Sequence, residues 1–98
     1  MEWLRHVAEL KAGNEVQFRP KGHSMMPRIH SGELITISPD VSELKKGDIV
    51  FCKVKGHFYV HLVKAIRQDG ILIGNNHGHI NGWASIKQVY GKVVKVEP

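Results

Sequence analysis

Residues 22–27 read Gly22-His23-Ser24-Met25-Met26-Pro27 and interrupt a chain that otherwise consists of short strand-like runs. Gly22 can adopt backbone angles that other residues rarely adopt, whereas Pro27 fixes its own φ and pushes Met26 toward an extended conformation. The stretch therefore predicts a sharp loop that holds the Ser24 hydroxyl at a fixed angle. The backbone N–H groups of Ser24 and Met25 would then be free to donate toward an oxyanion. Taken alone, a single serine in a glycine-proline loop is more often just a turn.

The chain on both sides of this loop alternates short apolar runs with turn residues. The runs are residues 16–18, 34–37, 49–54, 58–66, 71–73 and 89–96. Gln68-Asp69-Gly70 and Lys55-Gly56-His57 are typical of hairpin turns. Only residues 3–11 have apolar side chains near helical spacing, and Gly13 and Asn14 follow as stop signals. We predict a mainly β fold, a small coiled sheet or β-barrel, with one short N-terminal helix.

The chain length and composition indicate one compact unit. The 98 residues are 42% hydrophobic and 23% charged, as in ordinary globular domains. We expect a single domain over residues 1–98, with the helix in 1–13 and the β domain in 16–96. No run approaches the roughly 18 apolar residues that span a bilayer, and the first residues do not resemble a secretory signal. This pattern predicts a soluble, cytoplasmic protein without a membrane span.

The net charge, the single cysteine and the histidines limit the kinds of ligand that we expect. A net charge of +5 favours acidic partners, but the basic residues are scattered and no reading helix is recognisable, so we expect no specific nucleic acid. The single cysteine, Cys52, excludes an internal disulfide and is predicted to be a buried, inert thiol. His77-Gly78-His79 lacks a fixed third ligand in sequence. We therefore expect neither a metal nor another cofactor.

The serine loop is also the first of six sequence blocks that occur in a fixed order. The blocks are Gly22-x-Ser24-Met25-x-Pro27, Ser31-Gly32-Glu33-Leu34-Ile35, Lys46-Gly47-Asp48-Ile49-Val50, Val60-His61-Leu62-Val63, Gly74-Asn75-Asn76 and Gly91-Lys92-Val93-Val94. Together they resemble the ordered motifs of the LexA and signal-peptidase superfamily of serine peptidases. The resemblance covers residues 16–96, and Gly-x-Ser-Met-x-Pro is its most diagnostic element.

The resemblance implies a domain of the LexA/signal-peptidase type that cleaves a peptide bond with a serine and one basic partner. Ser24 stands at the nucleophile position. His61 stands at the general-base position, where LexA-type repressors and bacterial signal peptidases have lysine. An imidazole with a pKa of about 6.5 is largely neutral near pH 7 and can accept the serine proton. Lys64 is close in sequence, but strand alternation predicts that it points to the opposite face from His61.

The sequence departs from its histidine-type relatives at the acidic residues. Those relatives have Gly-Asp-Asn, whereas this chain has Gly74-Asn75-Asn76, with Asn81 where a second acid is expected. Asn75 or Asn76 is the predicted orienter of the imidazole, because an amide oxygen accepts a hydrogen bond although it supplies no charge. Two functions stay open. One is a serine endopeptidase with a Ser-His dyad, and the other is a catalytically weak or inactive peptide-binding module on the same fold.

The expected ligand is a peptide or protein substrate, bound in extended form along a strand edge. His23, Met25 and Met26 are predicted to line the substrate groove, although the methionines suit the core equally well. Trp3 and Trp83 are predicted to be packing residues. Exposed strand edges leave a homodimer open.

Overall fold

The computed structural model describes residues 2–98 as one short helix and a seven-stranded sheet. In chain order the elements are α1 (Trp3–Lys11), β1 (Val16–Phe18), β2 (Leu34–Ser38), β3 (Ile49–Val54), β4 (His57–Arg67), β5 (Gly70–Gly74), β6 (Ile80–Ala84), a 3-10 turn (Ile86–Gln88) and β7 (Val89–Glu97). The prediction of a mainly β fold with one N-terminal helix is confirmed. Strand β6 was not predicted, because Asn81 and Gly82 near its centre are residue types that strands disfavour.

The strands pair antiparallel in the order β1-β2-β7-β3-β4-β5-β6, so that β1 and β6 are the two ends of the sheet. Lys55 and Gly56 join β3 to β4 as a two-residue turn with positive φ values of 51° and 84°. Positive φ at both positions gives the twist that suits a tight hairpin. Gln68 and Asp69 make the second predicted hairpin, between β4 and β5. These two hairpins place β4 in the interior of the sheet.

Strand β3 is buried on both faces because the sheet coils around it. Ile49 and Phe51 face one hydrophobic cluster, which includes Val7 and Leu10 of α1. The alternate residues of β3 face a second cluster, as expected for the two-residue period of a strand. That second cluster consists of Val50, Cys52, Val54, Val63, Ile71, Ile73, Ala84 and Val89. The two clusters together fix β3 and β4 as the rigid centre of the fold.

The cysteine and the two tryptophans have different environments. Cys52 is buried as predicted, and burial raises the pKa of its thiol to about 12. Trp3 packs against the first cluster, with its ring 5.4 Å from the Phe51 ring between centroids. Trp83 is 40% exposed and lies against the guanidinium group of Arg67 instead of packing in the core. Within residues 2–98, no helix is long and apolar enough to cross a membrane.

Candidate active site

The loop between β1 and β2 presents Ser24. Gly22 has a φ of 118°, which confirms that the loop uses backbone angles available to glycine. Its N–H donates to the Ser31 hydroxyl oxygen at 3.1 Å, and the Gly32 N–H donates to the Pro20 carbonyl oxygen at 2.9 Å. These hydrogen bonds join the two ends of the loop. Ser24 is consequently half-buried in a structured turn.

Ser24 and His61 are in direct contact. The Ser24 Oγ lies 3.0 Å from the His61 Nε2, within hydrogen-bond distance. His61 is 8% exposed and lies within β4, opposite Val50 of β3. Pairing with the buried strand β3 fixes the backbone of His61, and the serine loop brings the Ser24 hydroxyl to the imidazole. The two side chains that the sequence singled out are therefore brought together by elements far apart in the chain.

Asn81 contacts the other nitrogen of the imidazole. Its Oδ1 lies 2.6 Å from the His61 Nδ1. Because an amide oxygen only accepts, the proton of a neutral ring stays on Nδ1, and Nε2 is left as the acceptor for the Ser24 hydroxyl. Asn81 reaches this position through a β-bulge, since Gly82 pairs with Ile73 and Ile80 with Gly74. Asn81 is the extra residue between these pairs, and such bulges re-aim side chains.

The structure corrects the predicted position of the orienting residue, because Asn75 and Asn76 make other contacts. The Asn75 Oδ1 accepts the N–H groups of His77 at 2.8 Å and of His79 at 3.0 Å. The Asn76 backbone N–H donates to the Ser24 carbonyl oxygen at 2.8 Å. Its side-chain Nδ2 donates to the Met26 carbonyl oxygen, also at 2.8 Å. Asn76 therefore holds the serine loop in place, whereas Asn75 closes the turn at residues 75–79, and neither side chain is bonded to the imidazole.

The surroundings of His61 favour its neutral form. Burial lowers the pKa of His61 below its ordinary value of 6.5, and the charge of His79 acts in the same direction. The hydrogen bond to Asn81 opposes this shift without cancelling it. The Tyr59 ring stacks on the imidazole, with 4.9 Å between centroids, and covers one of its faces. The ring is consequently uncharged and able to accept a proton at neutral pH.

A cleft of about 200 Å³ opens beside the Ser24–His61 pair. It is lined by Trp3, Pro20, Lys21, Gly22, Ser24, Met25, Ile29, Phe58, Tyr59, Val60 and His61. Of the three predicted groove residues, only Met25 lines the cleft, and it is also a core residue with 4% exposure. His23 and Met26 lie outside the lining and contact each other. The aromatic residues of the cleft were not predicted, because their role depends on how α1 packs against β4.

One edge of β4 is unpaired beside the cleft. Residues 57–62 of β4 pair with β3, whereas pairing with β5 begins only at Leu62. In the described part of the chain, residues 57–61 therefore have a strand partner on one side only. Tyr59, Val60 and His61 of this segment also line the cleft. The arrangement leaves a strand edge that an extended peptide can join.

Sequence comparison agrees with the geometry. The family model described as Peptidase S24-like matches residues 3–94. The chain belongs to the Peptidase S24-like family. The predicted resemblance to the LexA and signal-peptidase superfamily is thereby confirmed. No individual curated protein gives a significant match to this S24-like chain.

Two further observations bear on the chemistry of the S24-like site. Among residues 2–98, the backbone N–H groups of Ser24 and Met25 have no protein acceptor, whereas the next one, of Met26, donates to the His23 carbonyl oxygen. Free N–H groups beside a nucleophile are able to bind an oxyanion. Across the same range, no three His, Cys, Asp or Glu side chains are grouped so that they could hold a metal ion.

Proposed function

We propose that this S24-like protein is a serine endopeptidase with Ser24 as nucleophile and His61 as general base. The observation that carries the proposal is the 3.0 Å separation between the Ser24 Oγ and the His61 Nε2. A serine hydroxyl at its ordinary pKa is a weak nucleophile, so acyl transfer needs a base within hydrogen-bond reach. The lowered pKa of His61 supports this role, because only the neutral ring can accept the proton.

The first half of the reaction is acylation. The Ser24 Oγ attacks the carbonyl carbon of the substrate while the His61 Nε2 takes the hydroxyl proton. The resulting oxyanion accepts hydrogen bonds from the backbone N–H groups of Ser24 and Met25. When the intermediate collapses, the C–N bond breaks, and His61 returns the proton to the leaving amine. Ser24 is left as an ester of the acyl fragment.

The second half is hydrolysis of that ester. A water molecule attacks the ester carbonyl carbon, and His61 takes one of its protons. When this second intermediate collapses, the bond to the Ser24 Oγ breaks, and His61 returns the proton to the serine. The fragment leaves as a carboxylic acid, and the free enzyme is restored. Each step uses the imidazole first as base and then as acid.

Asn81 has the orienting role that an acidic residue has in other serine peptidases. Its amide oxygen holds the imidazole in the tautomer that Ser24 needs. It has no negative charge, so the imidazolium formed during each step receives less stabilisation than a carboxylate would give. We therefore expect turnover to be slower than with an aspartate at the same position.

The substrate in this proposal is a peptide or an extended segment of a protein. The unpaired edge at residues 57–61 of β4 supports binding by strand addition. A strand bound along this edge would place one of its carbonyl groups near Ser24. Main-chain hydrogen bonds would then supply much of the affinity, and the cleft would select the side chain.

A fluorophosphonate probe tests the Ser-His assignment. The Ser24 oxygen displaces fluoride from phosphorus, and the mass of the adduct and its position are read by mass spectrometry. We expect labelling of Ser24 above about pH 7, no adduct in Ser24→Ala, and loss of labelling in His61→Ala. His57→Gln is the matched control, because this exposed histidine lies on the same strand outside the cleft. Unchanged labelling of His61→Ala would contradict the assignment.

A further inference from the structure

We propose that the cleft beside Ser24 binds a medium-sized apolar side chain of the substrate, and that Trp3 of α1 is the wall that limits its length. This inference rests on the proposed function, since it names the substrate class of the same site. The side chains that fit are those of the size of leucine or phenylalanine. Trp3 is a specificity-determining residue in this proposal and takes no part in the chemistry.

The size and lining of the cleft indicate the kind of side chain. An apolar cavity of ~150 Å³ is large enough to bind benzene. The cleft here measures about 200 Å³, and its lining includes the Ser24–His61 pair. Most of the lining away from that pair is apolar or aromatic, with contributions from Met25, Ile29 and Val60. A methyl group would leave most of this space unfilled, whereas a leucine or phenylalanine side chain would fill it.

Trp3 and Phe58 form a wall of the cleft that a second depression shares. Their rings are stacked, with 5.8 Å between centroids and an interplanar angle of 15°. A second depression on the surface is lined by Glu2, Leu4 and Arg5 together with the same two rings. The stacked pair therefore separates two depressions that would otherwise be continuous. Shortening the Trp3 side chain should join them and admit longer side chains.

The position of Trp3 is fixed from several sides. Its ring packs on Phe51, and it meets Phe18 edge-on at 5.7 Å between centroids. Phe51 is fully buried at the centre of the fold. A wall supported in this way does not yield easily to a longer side chain. Because Trp3 belongs to α1, the helix takes part in substrate selection as well as in covering the core.

The charge of the cleft adds a second constraint on the peptide. The lining contains no aspartate or glutamate and includes Lys21. Lys53 lies close to the wall as well, with its Nζ 5.2 Å from the centre of the Phe58 ring. A cationic side chain entering the cleft would meet these like charges and lose its hydration. The cleft therefore suits neutral apolar side chains and disfavours lysine and arginine.

A graded series of peptidyl diphenyl phosphonates tests this selection. The Ser24 oxygen bonds to phosphorus, phenoxide leaves, and His61 takes the hydroxyl proton. The side chain next to phosphorus is varied through alanine, leucine, phenylalanine, biphenylalanine and lysine. For the wild type we expect leucine and phenylalanine to label at least about tenfold faster than alanine, biphenylalanine and lysine, as is usual for a shaped apolar pocket.

Variants of Trp3 test whether this residue determines the side-chain preference of the cleft. Trp3→Ala should raise the rate with biphenylalanine about tenfold relative to leucine, and Trp3→Phe should give an intermediate preference. Tyr90→Leu is the matched control, since Tyr90 packs against Phe51 and Phe58 but does not line the cleft. It should keep the wild-type order. An unchanged order of rates in a folded Trp3 variant, or the same shift in Tyr90→Leu, would overturn the inference.

A binding measurement separates this inference from the proposed function. Ser24→Ala is titrated with peptides that carry the same graded residues, and the Trp3 indole N–H signal is followed by NMR. A stronger response to leucine and phenylalanine, without labelling of the wild type by any phosphonate, would support the cleft and contradict the peptidase. Labelling of Ser24 at rates that do not depend on the side chain, with no change in the Trp3 signal, would support the peptidase and contradict the proposed selectivity of the cleft.

Discussion

The two sides of the His61 ring are built in different ways. On the Nε2 side, Ser24 comes from a loop whose hydrogen bonds close within residues 20–32 and which Asn76 also holds. On the Nδ1 side, Asn81 comes from a β-bulge in an edge strand of the sheet. In the proposed mechanism, the first side supplies the groups for acyl transfer, whereas the second has the geometry of an orienting residue without its charge. The rate of the proposed reaction should therefore be limited by the orienting side.

The largest expected effect comes from removing His61, the proposed base, which contacts both Ser24 and Asn81. His61→Gln keeps a polar side chain of similar size, but its amide group is not basic enough to take the Ser24 proton. We expect the labelling rate of Ser24 to fall at least about a thousandfold, as for removal of a member of a catalytic triad. The rate constant for fluorophosphonate labelling measures this. A reduction below tenfold would mean that another group activates the serine.

Restoring a charge on the Nδ1 side should have the next largest effect. Asn81→Asp places a carboxylate against the ring and stabilises the imidazolium that forms in each step. We expect peptide hydrolysis to become roughly ten- to a hundredfold faster, and the pKa of His61 to rise. NMR titration of the imidazole protons measures the pKa. Asn81→Leu is the paired variant and should slow the reaction, because it removes the acceptor for Nδ1–H.

Weakening the hydrogen bonds that hold the serine loop on the Nε2 side should have a smaller effect on the labelling rate. Asn76→Ala removes the hydrogen bond to the Met26 carbonyl oxygen but keeps the backbone bond to the Ser24 carbonyl oxygen. One neutral hydrogen bond contributes on the order of 1 kcal/mol, so we expect labelling to slow by about fivefold. Asn14→Ala is a suitable control, since this exposed asparagine bonds to Glu9 near the end of α1. A loss as large as that of His61→Gln would mean that Asn76 acts on the chemistry itself.

The smallest expected effect is a shift in the pH profile. Burial lowers the pKa of His61, so the ring stays neutral to a lower pH than an exposed histidine. The labelling rate should level off above about pH 7 and fall as the pH drops through the lowered pKa. The midpoint is therefore expected below 6.5, and in Asn81→Asp it should move upward. A wild-type midpoint above 6.5 would contradict the proposed environment of the base.

Local sequence signals predicted the serine loop on the Nε2 side of the His61 ring but not the contact with Asn81 on the Nδ1 side. Gly22 and Pro27 predicted the serine loop, and the apolar run at residues 49–54 coincides with β3. The contact with Asn81 depends on a register shift between β5 and β6, which arises from pairing and has no local signature. Asn81 could still have been chosen, because the sequence has it where an acid was expected.

The orientation of Lys64 likewise depends on a register shift between strands. Val63 pairs with Ile73 and Ala65 pairs with Leu72, so Lys64 is the extra residue of a second β-bulge. Strand alternation does not hold through a bulge, and the face of Lys64 therefore could not be predicted from the parity of its number. His61 lies before the bulge, in a regular register with β3, and its prediction did not depend on that argument.

Because Cys52 is buried, the reactivity of its thiol reports how often the fold opens around β3. A thiol with no exposure and a pKa raised to about 12 reacts with an alkylating reagent only when β3 separates from its neighbours. The rate of thiol modification therefore measures the free energy of that opening under native conditions. The same sample can then carry two independent signals, with adduct formation at Ser24 reporting the site and protection of Cys52 from alkylation reporting the intact fold.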